Sequence, residues 1–273
     1  MKVQKINTRY GKMNVLASDQ IIAKSLIEYG EWSQSEIDLL TQVIKPGMKV
    51  LDIGANIGSH TLAFAKAVGP RGKVLAFEPQ PFVHSLLAAN LIENDATNVL
   101  ALNAGLGRAP GWVDLPDFTY AEPNNYGALR LEPFLTKDEK AVNRIPVPIH
   151  RLDDLKVAAG AHVIKIDVEE MEAAVLEGAR GLISASRPLL FVENELPGEG
   201  SEATLRLLFE MEYDAYWQVA PLFPANNFNG KQENIFGNMT CMNVFAVPKE
   251  RAITVQGSRK VQSVSEHPRK RHE

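Results

Sequence analysis

The stretch that decides the fold is Val50-Leu51-Asp52-Ile53-Gly54-Ala55-Asn56-Ile57-Gly58. Its apolar first half predicts a buried strand, and its Asp-x-Gly-x-x-x-Gly pattern is typical of a turn that leads from a strand into a ligand-holding loop. Gly54 and Gly58 can adopt a positive φ and let the backbone approach a ligand without an intervening Cβ. We predict a helix over residues 59–68, whose free N–H groups would face that ligand.

The spacing of the glycines distinguishes between two kinds of cofactor. A loop that binds the pyrophosphate of a dinucleotide has the pattern G-x-G-x-x-G, and residues 54–59 lack its middle glycine. S-adenosylmethionine has no phosphate, and a looser turn with Asp52 beneath it suits the ammonium group of that cofactor. The loop therefore favours S-adenosylmethionine over NAD, with a purely structural glycine turn as the alternative.

A second acidic residue follows the loop at the distance expected for a ribose ligand. Residues 73–77 predict a buried strand that ends at Glu78, and an acid about twenty residues beyond the glycine loop is the group that accepts ribose hydroxyls. Pro79 has no N–H to donate to a neighbouring strand, so it ends the sheet there. We predict that Glu78 binds the ribose; a solvated carboxylate at a strand end is the alternative.

Strands and helices alternate along most of the chain. Two successive strand–helix–strand units between residues 50 and 102 predict a parallel sheet. The predicted strands cover 50–54, 73–78, 98–102, 162–167 and 188–192, the predicted helices cover 59–68, 81–93, 171–179 and 204–211, and a terminal antiparallel pair covers 213–219 and 241–247. The expected fold is α/β, with a mostly parallel seven-stranded sheet and helices on both faces.

Three regions lie outside this alternation. Residues 1–42 predict a partly helical N-terminal extension to a catalytic domain over residues 43–249. Residues 110–148 are rich in Pro, Asn and Gly and too long for a simple connection, which favours an inserted hairpin or a lid over the site. Residues 250–273 are basic and lack periodicity, so we expect a disordered tail, more typical of a solubilising end than of a segment that contacts nucleic acid or lipid.

Composition narrows the class of protein. The 273 residues fit one α/β domain, and the formal net charge of −4 gives no general affinity for phosphate backbones. A nucleic-acid partner is therefore not expected. The single cysteine, Cys241, excludes an intramolecular disulfide and fits a reducing compartment. No run has the character of a signal peptide or a membrane span, so we expect a cytoplasmic location and no transmembrane segment.

Acidic residues follow two predicted strands at the edge where open α/β sheets bind ligands. Asp167 and Glu169 come after the fourth strand, and Glu193, Asn194 and Glu195 come after the fifth. Methylating a hydroxyl needs a base or a metal, because an alcohol is a poor nucleophile while it keeps its proton. Crowded carboxylates raise one another's pKa toward the range of a base. Alternatively, Asp167, Glu193 and Asn194 form an all-oxygen set suited to magnesium or calcium; we favour the base without a metal.

The motifs occur in a fixed order: Leu51-Asp52-Ile53-Gly54-Ala55-Asn56-Ile57-Gly58-Ser59-His60-Thr61, Ala76-Phe77-Glu78-Pro79, Leu152-Asp153-Asp154-Leu155 and Lys165-Ile166-Asp167-Val168-Glu169. This series resembles the FkbM family of S-adenosylmethionine-dependent methyltransferases over roughly residues 50–195. The resemblance implies a class I methyltransferase fold, which is Rossmann-like. It also implies O-methyl transfer to a hydroxyl of a sugar, a glycan or a natural product.

The glycine loop, the acids at the strand ends and the shared motifs together predict the residues of the site. The cofactor-binding set is Asp52, Gly54, Asn56, Gly58, His60, Thr61, Glu78, Pro79 and Asp167, and the catalytic set is Asp167, Glu169, Glu193 and Lys165. The chain departs from the family at Glu170, where the family pattern has Gly; the side chain adds a charge and a Cβ to a turn. Residues 227–238 resemble a tail found in part of the family and predict a loop on the substrate side, with Phe228 and Phe236.

Other interpretations are weaker. His60 and His150 are possible bases, but a lone His at such positions is more often a packing or hydrogen-bonding residue. Methylation of a base amine usually goes with an Asn/Asp-Pro-Pro-aromatic turn, and the corresponding position here is Asp167-Val168-Glu169-Glu170. A non-catalytic S-adenosylmethionine-binding protein and an NAD-dependent oxidoreductase are the remaining alternatives, and the glycine spacing argues against the second.

Overall fold

A computed structural model describes residues 2–131, 143–253 and 255–270 of the chain. The predicted insert over residues 110–148 therefore lies partly outside the described residues. The chain begins with an antiparallel hairpin of β1 (Val3–Thr8) and β2 (Gly11–Leu16), which is followed by α1 (Ile22–Tyr29) and α2 (Gln34–Val43). The N-terminal residues thus contribute a small sheet as well as helices.

The strands after this region form two sheets. They are β3 (Lys49–Ile53), β4 (Lys73–Phe77), β5 (Val99–Leu102), β6 (Gly105–Leu106), β7 (Gly111–Pro116), β8 (Arg144–His150), β9 (Val163–Ile166), β10 (Leu189–Glu193), β11 (Tyr213–Pro221), β12 (Thr240–Pro248) and β13 (Arg259–Lys260). Among the described residues, the central sheet has the order β13-β11-β12-β10-β9-β3-β4-β5, and β6, β8 and β7 form a separate small sheet. Strands β5, β4, β3, β9 and β10 are parallel, and β12 runs antiparallel to β10 and to β11.

Helices cover both faces of the central sheet. They are α3 (Ser59–Val68), α4 (Pro81–Glu93), α5 (Glu172–Glu177), α6 (Arg180–Ser186) and α7 (Glu199–Glu210), with short 3-10 turns at Leu152–Asp154, Lys156–Ala158 and Lys249–Arg251. Successive residues of a strand point to opposite faces. Val50 accordingly packs with Leu40 of α2 and Phe64 of α3, whereas Leu51 belongs to the cluster that contains Leu176 and Leu208.

The predicted α/β fold is confirmed in its main features. The parallel strands, the helices on both faces and the terminal antiparallel pair are all present. The difference is one additional two-residue strand, β13, at the edge beside β11. None of the helices in the described ranges has the length and apolar character that a membrane span requires.

The sheet has a switch point where the chain reverses its direction of growth. From β3 the chain adds β4 and β5 on one side, and after the small sheet it adds β9 and β10 on the other. Both neighbours of β3 are parallel to it, so the loops after β3, β4, β9 and β10 meet at one edge. Ligands of open α/β sheets bind outside this edge at such a point.

The C-terminal residues pack on the protein, which differs from the disordered tail that the sequence suggested. Val261 is 3% exposed and joins the core, and the His267 ring lies against Trp217 and hydrogen-bonds the carbonyl oxygen of Asn194 at 3.0 Å. Arg269 and Lys270 pair with Glu195 and Glu202. These contacts depend on single residues without periodicity, so no helix or strand pattern revealed them.

Candidate active site

A pocket with a volume of about 260 Å³ opens at the carboxyl ends of the parallel strands. Its floor is the loop after β3, with Gly54 and Asn56, and the turn after β4, with Glu78 and Pro79. Asp167 and Glu169 after β9, together with Glu193 and Glu195 of the β10 end, line its far side. The remaining wall consists of Ile21, Ile22, Trp32, Ile53, Phe77, Gln80, Ala104, Gly105, Leu106, Asn125, Gly127, Ala128, Leu129, Leu131, Val168, Met171, Leu222, Met239, Thr240 and Cys241.

The glycine at position 54 is required by a close approach of two loops. Its φ is +80°, and a Cβ on this residue would lie 1.7 Å from the carbonyl oxygen of Asp167. The loop after β3 can therefore lie directly against the end of β9 only because residue 54 has no side chain. Asn56 lies farther along the same loop, and its backbone N–H points to Glu78.

Four of the predicted cofactor-binding residues lie behind this loop and do not line the pocket. Asp52 is fully buried and accepts a 2.6 Å hydrogen bond from the hydroxyl of Thr61. Gly58 has a φ of +93° and precedes α3. His60 lies on α3 with its Nε2 3.4 Å from Oε2 of Glu36. These residues hold the loop to the sheet and to α2, whereas Gly54, Asn56, Glu78, Pro79 and Asp167 face the pocket.

Glu78 is a buried carboxylate at the pocket wall. It is 4% exposed, and its two oxygens accept the backbone N–H groups of Asn56 at 3.0 Å and Gln80 at 2.9 Å. Burial nevertheless raises the pKa of Glu78 to about 7, because these two donors do not replace the lost water. Ribose hydroxyls would supply further donors to the same oxygens, so the site fits the sugar of an adenosine cofactor.

Gln80 and the insert complete this side of the pocket; the insert was expected to lie over the site, whereas Gln80 was not predicted. Gln80 is 4% exposed, and its Nε2 donates a 2.8 Å hydrogen bond to the carbonyl oxygen of Tyr126. This bond joins the turn after β4 to the part of the insert that contains Asn125 and Gly127. A glutamine directly after the Glu-Pro turn was the available signal, but nothing in the sequence indicated which backbone it would contact.

Three carboxylates converge across the pocket from Glu78. One oxygen from each of Asp167, Glu169 and Glu193 lies within 4.8 Å of the others. Within the described residues, Oε2 of Glu193 is buried without a hydrogen-bond partner. The ammonium group of Lys165 lies 2.9 Å from Oδ2 of Asp167 and 3.8 Å from Oδ1 of Asp52. The predicted catalytic residues are therefore neighbours in space.

The contacts of each group in the cluster determine the direction in which its pKa shifts. Burial opposes the charged form of Asp167, but Lys165 lowers the pKa of its carboxyl below the usual value. The Asp167 and Asp52 carboxylates raise the pKa of the Lys165 ammonium despite its burial. Burial and the negative charge of Asp167 raise the pKa of Glu169 to about 8, and the same causes raise the pKa of Glu193 well above its ordinary value. The cluster thus contains a stable carboxylate, Asp167, next to two acids whose pKa values are raised.

The turn after β9 has an unusual backbone. Glu169 and Glu170 have φ values of +53° and +73°, the left-handed region that glycine adopts most easily. The turn is held by Glu172, whose Oε1 accepts the backbone N–H of Val168 at 3.1 Å, and by an ion pair of 2.7 Å between Glu170 and Arg130 of the insert. This conformation aims the Glu169 side chain at the pocket.

The other candidates have different surroundings. Asn194 is 5% exposed and lines a second pocket next to Glu193, while the carboxylates that group by distance are Asp167, Glu169 and Glu193. His150 lies on β8 and lines neither pocket. Phe236 is 6% exposed and packs edge-on against Tyr29, whereas Phe228 is 48% exposed. Neither ring lines the first pocket.

The sequence resembles a known protein family and individual methyltransferases. A family model described as "Methyltransferase FkbM domain" matches residues 52–217. "Methyltransferase sdnD" of Sordaria araneosa is 32% identical over 154 residues, which is 47% of this chain and 59% of that protein. "Methyltransferase 1" of Beauveria bassiana is 29% identical over 143 residues, 47% of this chain and 57% of that protein. The chain therefore spans less than two thirds of the length of these relatives.

Solved structures with a similar architecture include two methyltransferases. The methyltransferase FkbM of Methylobacillus flagellatus KT is 16% identical, with a TM-score of 0.45, and the match covers 81% of this chain and 52% of that one. A SAM-dependent O-methyltransferase of Thermotoga maritima is 14% identical, with a TM-score of 0.48, and covers 89% of this chain and 77% of that one. The family model spans more than half of the sequence. The chain belongs to the FkbM family of S-adenosylmethionine-dependent methyltransferases.

Proposed function

We propose that the chain transfers a methyl group from S-adenosylmethionine to a hydroxyl of a sugar, a glycan or a natural product. The observation that carries this proposal is the cluster of Asp167, Glu169 and Glu193 across the pocket from the buried Glu78. One side of the pocket suits a ribose, and the other offers carboxylates that can accept a proton. When bound, the cofactor supplies the electrophilic methyl group.

The residues that would hold the cofactor come from the first two loops. Glu78 accepts hydrogen bonds from the ribose hydroxyls, and the backbone around Gly54 and Asn56 lies close enough to enclose the rest of the molecule. Asp52 and Thr61 support this loop from behind. Asp167 remains anionic beside Lys165 and presents its carboxylate to the pocket.

The carboxylates after β9 and β10 would remove the proton of the acceptor hydroxyl. Glu169 has a pKa of about 8, which is close to the pH at which a general base is most effective. When the acceptor oxygen takes the methyl group and S-adenosylhomocysteine leaves with the electrons of the broken carbon–sulfur bond, the hydroxyl proton would pass to Glu169, and Glu193 is close enough to share it. Lys165 and Asp167 position this pair and do not exchange protons with the acceptor.

A divalent metal is the alternative to a carboxylate base. The sequence suggested Asp167, Glu193 and Asn194 as ligands, and oxygens of Asp167, Glu169 and Glu193 come within 4.8 Å of one another. A metal there would lower the pKa of the acceptor hydroxyl and orient its oxygen. The ammonium group of Lys165, 2.9 Å from Asp167, already neutralises one of these carboxylates, which favours the base without a metal.

A cytoplasmic location is part of the proposal, on the ground that the sequence has a single cysteine and hence no intramolecular disulfide. The Cys241 thiol lies at the pocket wall, and burial raises its pKa well above the usual value, so it stays protonated and unreactive.

The test is a transfer assay with labelled S-adenosylmethionine against a panel of sugars, glycolipids and natural products with free hydroxyls. We expect a base-stable O-methyl product. Asp167→Asn keeps the shape of the side chain but removes its charge, so turnover should fall by at least about a hundredfold, the scale on which a positioned electrostatic group acts. Asp154→Asn, a change at an exposed carboxylate that pairs with Arg151 and lines neither pocket, is the matched control.

Three results would count against the proposal. Methyl transfer to nitrogen atoms alone would support the cofactor but contradict a hydroxyl acceptor. Full activity of Asp167→Asn toward a verified acceptor would place the chemistry elsewhere. Binding of the cofactor without transfer to any member of the panel would favour a non-catalytic binding protein.

A further inference from the structure

A second pocket with a volume of about 420 Å³ lies beside the first. It is formed by the turn after β9, the loop after β10 and the first turn of α7. Glu169, Glu193 and Glu195 line both pockets, so the two spaces meet at the carboxylate cluster. An acceptor whose hydroxyl reaches Glu169 can therefore extend into this second space.

The wall of the second pocket is rich in carboxyl groups. Its glutamates are Glu169, Glu170, Glu172, Glu193, Glu195 and Glu199. Arg130 pairs with Glu170, and Arg269 of the C-terminal segment pairs with Glu195. The other four glutamates have no ion-pair partner in the ranges that the structure describes. A ligand that enters this pocket meets the carboxylate of Glu199 and the carboxyl groups of Glu169, Glu172 and Glu193, whose raised pKa values a cationic ligand would lower.

An uncharged residue in the same wall points independently to a ligand. Asn194 is 5% exposed and lines this pocket, and among the described residues its Nδ2 has no hydrogen-bond partner. A buried amide N–H without an acceptor costs free energy, so such a group calls for an oxygen atom of a ligand or of water. The wall therefore offers a hydrogen-bond donor for an oxygen together with several carboxylates for a cation.

We propose that the second pocket binds a protonated amine of the methyl acceptor, and that the acceptor is an amine-bearing polyol such as an amino sugar. The inference rests on the proposed function, because it assumes that the hydroxyl of the same molecule lies at Glu169. The ammonium group lies among the glutamates, and an acceptor oxygen receives the N–H of Asn194. The positive charge thereby orients the hydroxyl toward the first pocket.

The experiment compares matched amines by equilibrium binding to the full chain loaded with S-adenosylhomocysteine. The probes are a panel of amino sugars and their N-acetylated counterparts, which differ in whether the nitrogen is charged, and binding is followed by ligand-observed NMR. We expect the charged members to bind at least about tenfold more tightly, the size of one hydrogen bond between charged groups. Equal affinity within every pair, or no binding by any amine, would overturn the proposal.

A charge-removing variant locates the binding. Glu199 lines the second pocket but not the first, so Glu199→Gln removes one carboxylate from the second pocket and leaves the carboxylates at the cofactor in place. It should weaken amine binding about two- to fivefold, as expected for one exposed ion pair, and leave the affinity for the N-acetylated sugars unchanged. Glu210→Gln, on the same helix but in an ion pair with Arg180, is the control and should change neither. An equal effect of the two variants would contradict the assignment of the pocket.

Two further readouts separate this inference from others. Saturable binding of Mg²⁺ that excludes the amines and is lost in Glu199→Gln would assign the pocket to a metal and overturn the proposal. Calorimetry with S-adenosylmethionine tests the proposed function on its own. If the protein binds the cofactor and methylates neutral hydroxyl compounds with no preference for amines, the proposed function stands and the amine site is contradicted.

Discussion

Gly54 shows how one residue determines the geometry of the pocket. Its positive φ and its contact with the Asp167 carbonyl both exclude a side chain, so two ends of parallel strands can lie against each other. Gly160 also has a positive φ, +75°, but a Cβ there would have nothing within 4 Å. The two glycines therefore separate the effect of backbone strain from the effect of a steric clash.

We expect Gly54→Ala to reduce the free energy of unfolding by at least about 2 kcal/mol more than Gly160→Ala does. Both variants place alanine in the left-handed region, which costs about 1 kcal/mol, and only the first adds a clash with a backbone carbonyl. Urea unfolding of the two variants measures the difference. Equal destabilisation would show that the loops can separate without cost.

Glu78 makes the stability of the cofactor-free protein depend on pH. Its pKa is about 7 in the folded chain, against 4.5 for an exposed glutamate. The folded state holds the proton more tightly than the unfolded state, so the contribution of Glu78 to stability is full below pH 4.5 and is lost as the pH rises through about 7. The shift corresponds to roughly 3 kcal/mol.

Between pH 4.5 and pH 8, the free energy of unfolding of Glu78→Gln should therefore fall by roughly 3 kcal/mol less than that of the wild type, because the amide does not ionise. Unfolding by urea at several pH values measures this slope. Glu210→Gln, at an exposed ion pair with Arg180, should keep the wild-type slope. An unchanged slope in Glu78→Gln would mean that the buried carboxyl does not titrate in this range.

At the scale of elements, regular helices and buried strands were predictable and irregular contacts were not. The predicted helices over residues 59–68 and 81–93 agree with α3 and α4. The predicted helix over residues 171–179 corresponds to α5, a second short helix, α6, follows it from Arg180, and α7 begins at Glu199 rather than at residue 204. Apolar periodicity marks the buried faces, but Gly and Ser in the first turn of α7 concealed its start.

The N-terminal hairpin also escaped prediction, because a long-range contact stabilises it. The side chain of Asn90 on α4 is fully buried and accepts the backbone N–H of Asn14 on β2 at 2.6 Å. Its Nδ2 donates to the carbonyl oxygen of Ile57 at 2.9 Å. One side chain thus connects the hairpin, α4 and the loop after β3. No local pattern in the sequence encodes such a contact.

Asn90→Ala should reduce the free energy of unfolding by about 2–4 kcal/mol, since it leaves buried backbone groups of Asn14 and Ile57 without partners. Asn94→Ala removes similar bonds to Lys12 in a more exposed place, where water can replace them, and should cost about 1 kcal/mol or less. Equilibrium unfolding compares the two. A larger loss in Asn94→Ala would contradict the role given to burial.

At the scale of the whole molecule, the edge of the sheet was predictable, while the far walls of the pocket were not. Asp167, Glu169 and Glu193 follow strand ends, and parallel strands bring such residues together. Trp32, Met239 and Cys241 reach the same pocket from just before α2 and from around the start of β12, through folding of distant segments that no spacing encodes. The family pattern has Gly where this chain has Glu170, and Glu170 adopts the left-handed conformation that glycine adopts most easily.

The chemistry of the whole site predicts a pH profile. If Glu169 is the base, turnover should rise with pH through about 8, since its anionic form predominates only above that value. Thorough chelation should leave activity unchanged. Steady-state rates from pH 6 to pH 9.5, with and without chelator, measure both effects. Loss of activity on chelation, restored by Mg²⁺, would replace the carboxylate base by a metal.

The central claim is that the pocket between Gly54 and Glu78 binds S-adenosylmethionine, and isothermal calorimetry tests it most directly. We predict saturable binding of S-adenosylmethionine and S-adenosylhomocysteine by the wild type, and no comparable binding of NAD. Glu78→Gln should weaken both by about tenfold or more, through loss of a charge-assisted hydrogen bond to the ribose, while Glu93→Gln at the exposed ion pair with Lys5 should not. Tight binding of NAD with no heat from either sulfur cofactor would contradict the account.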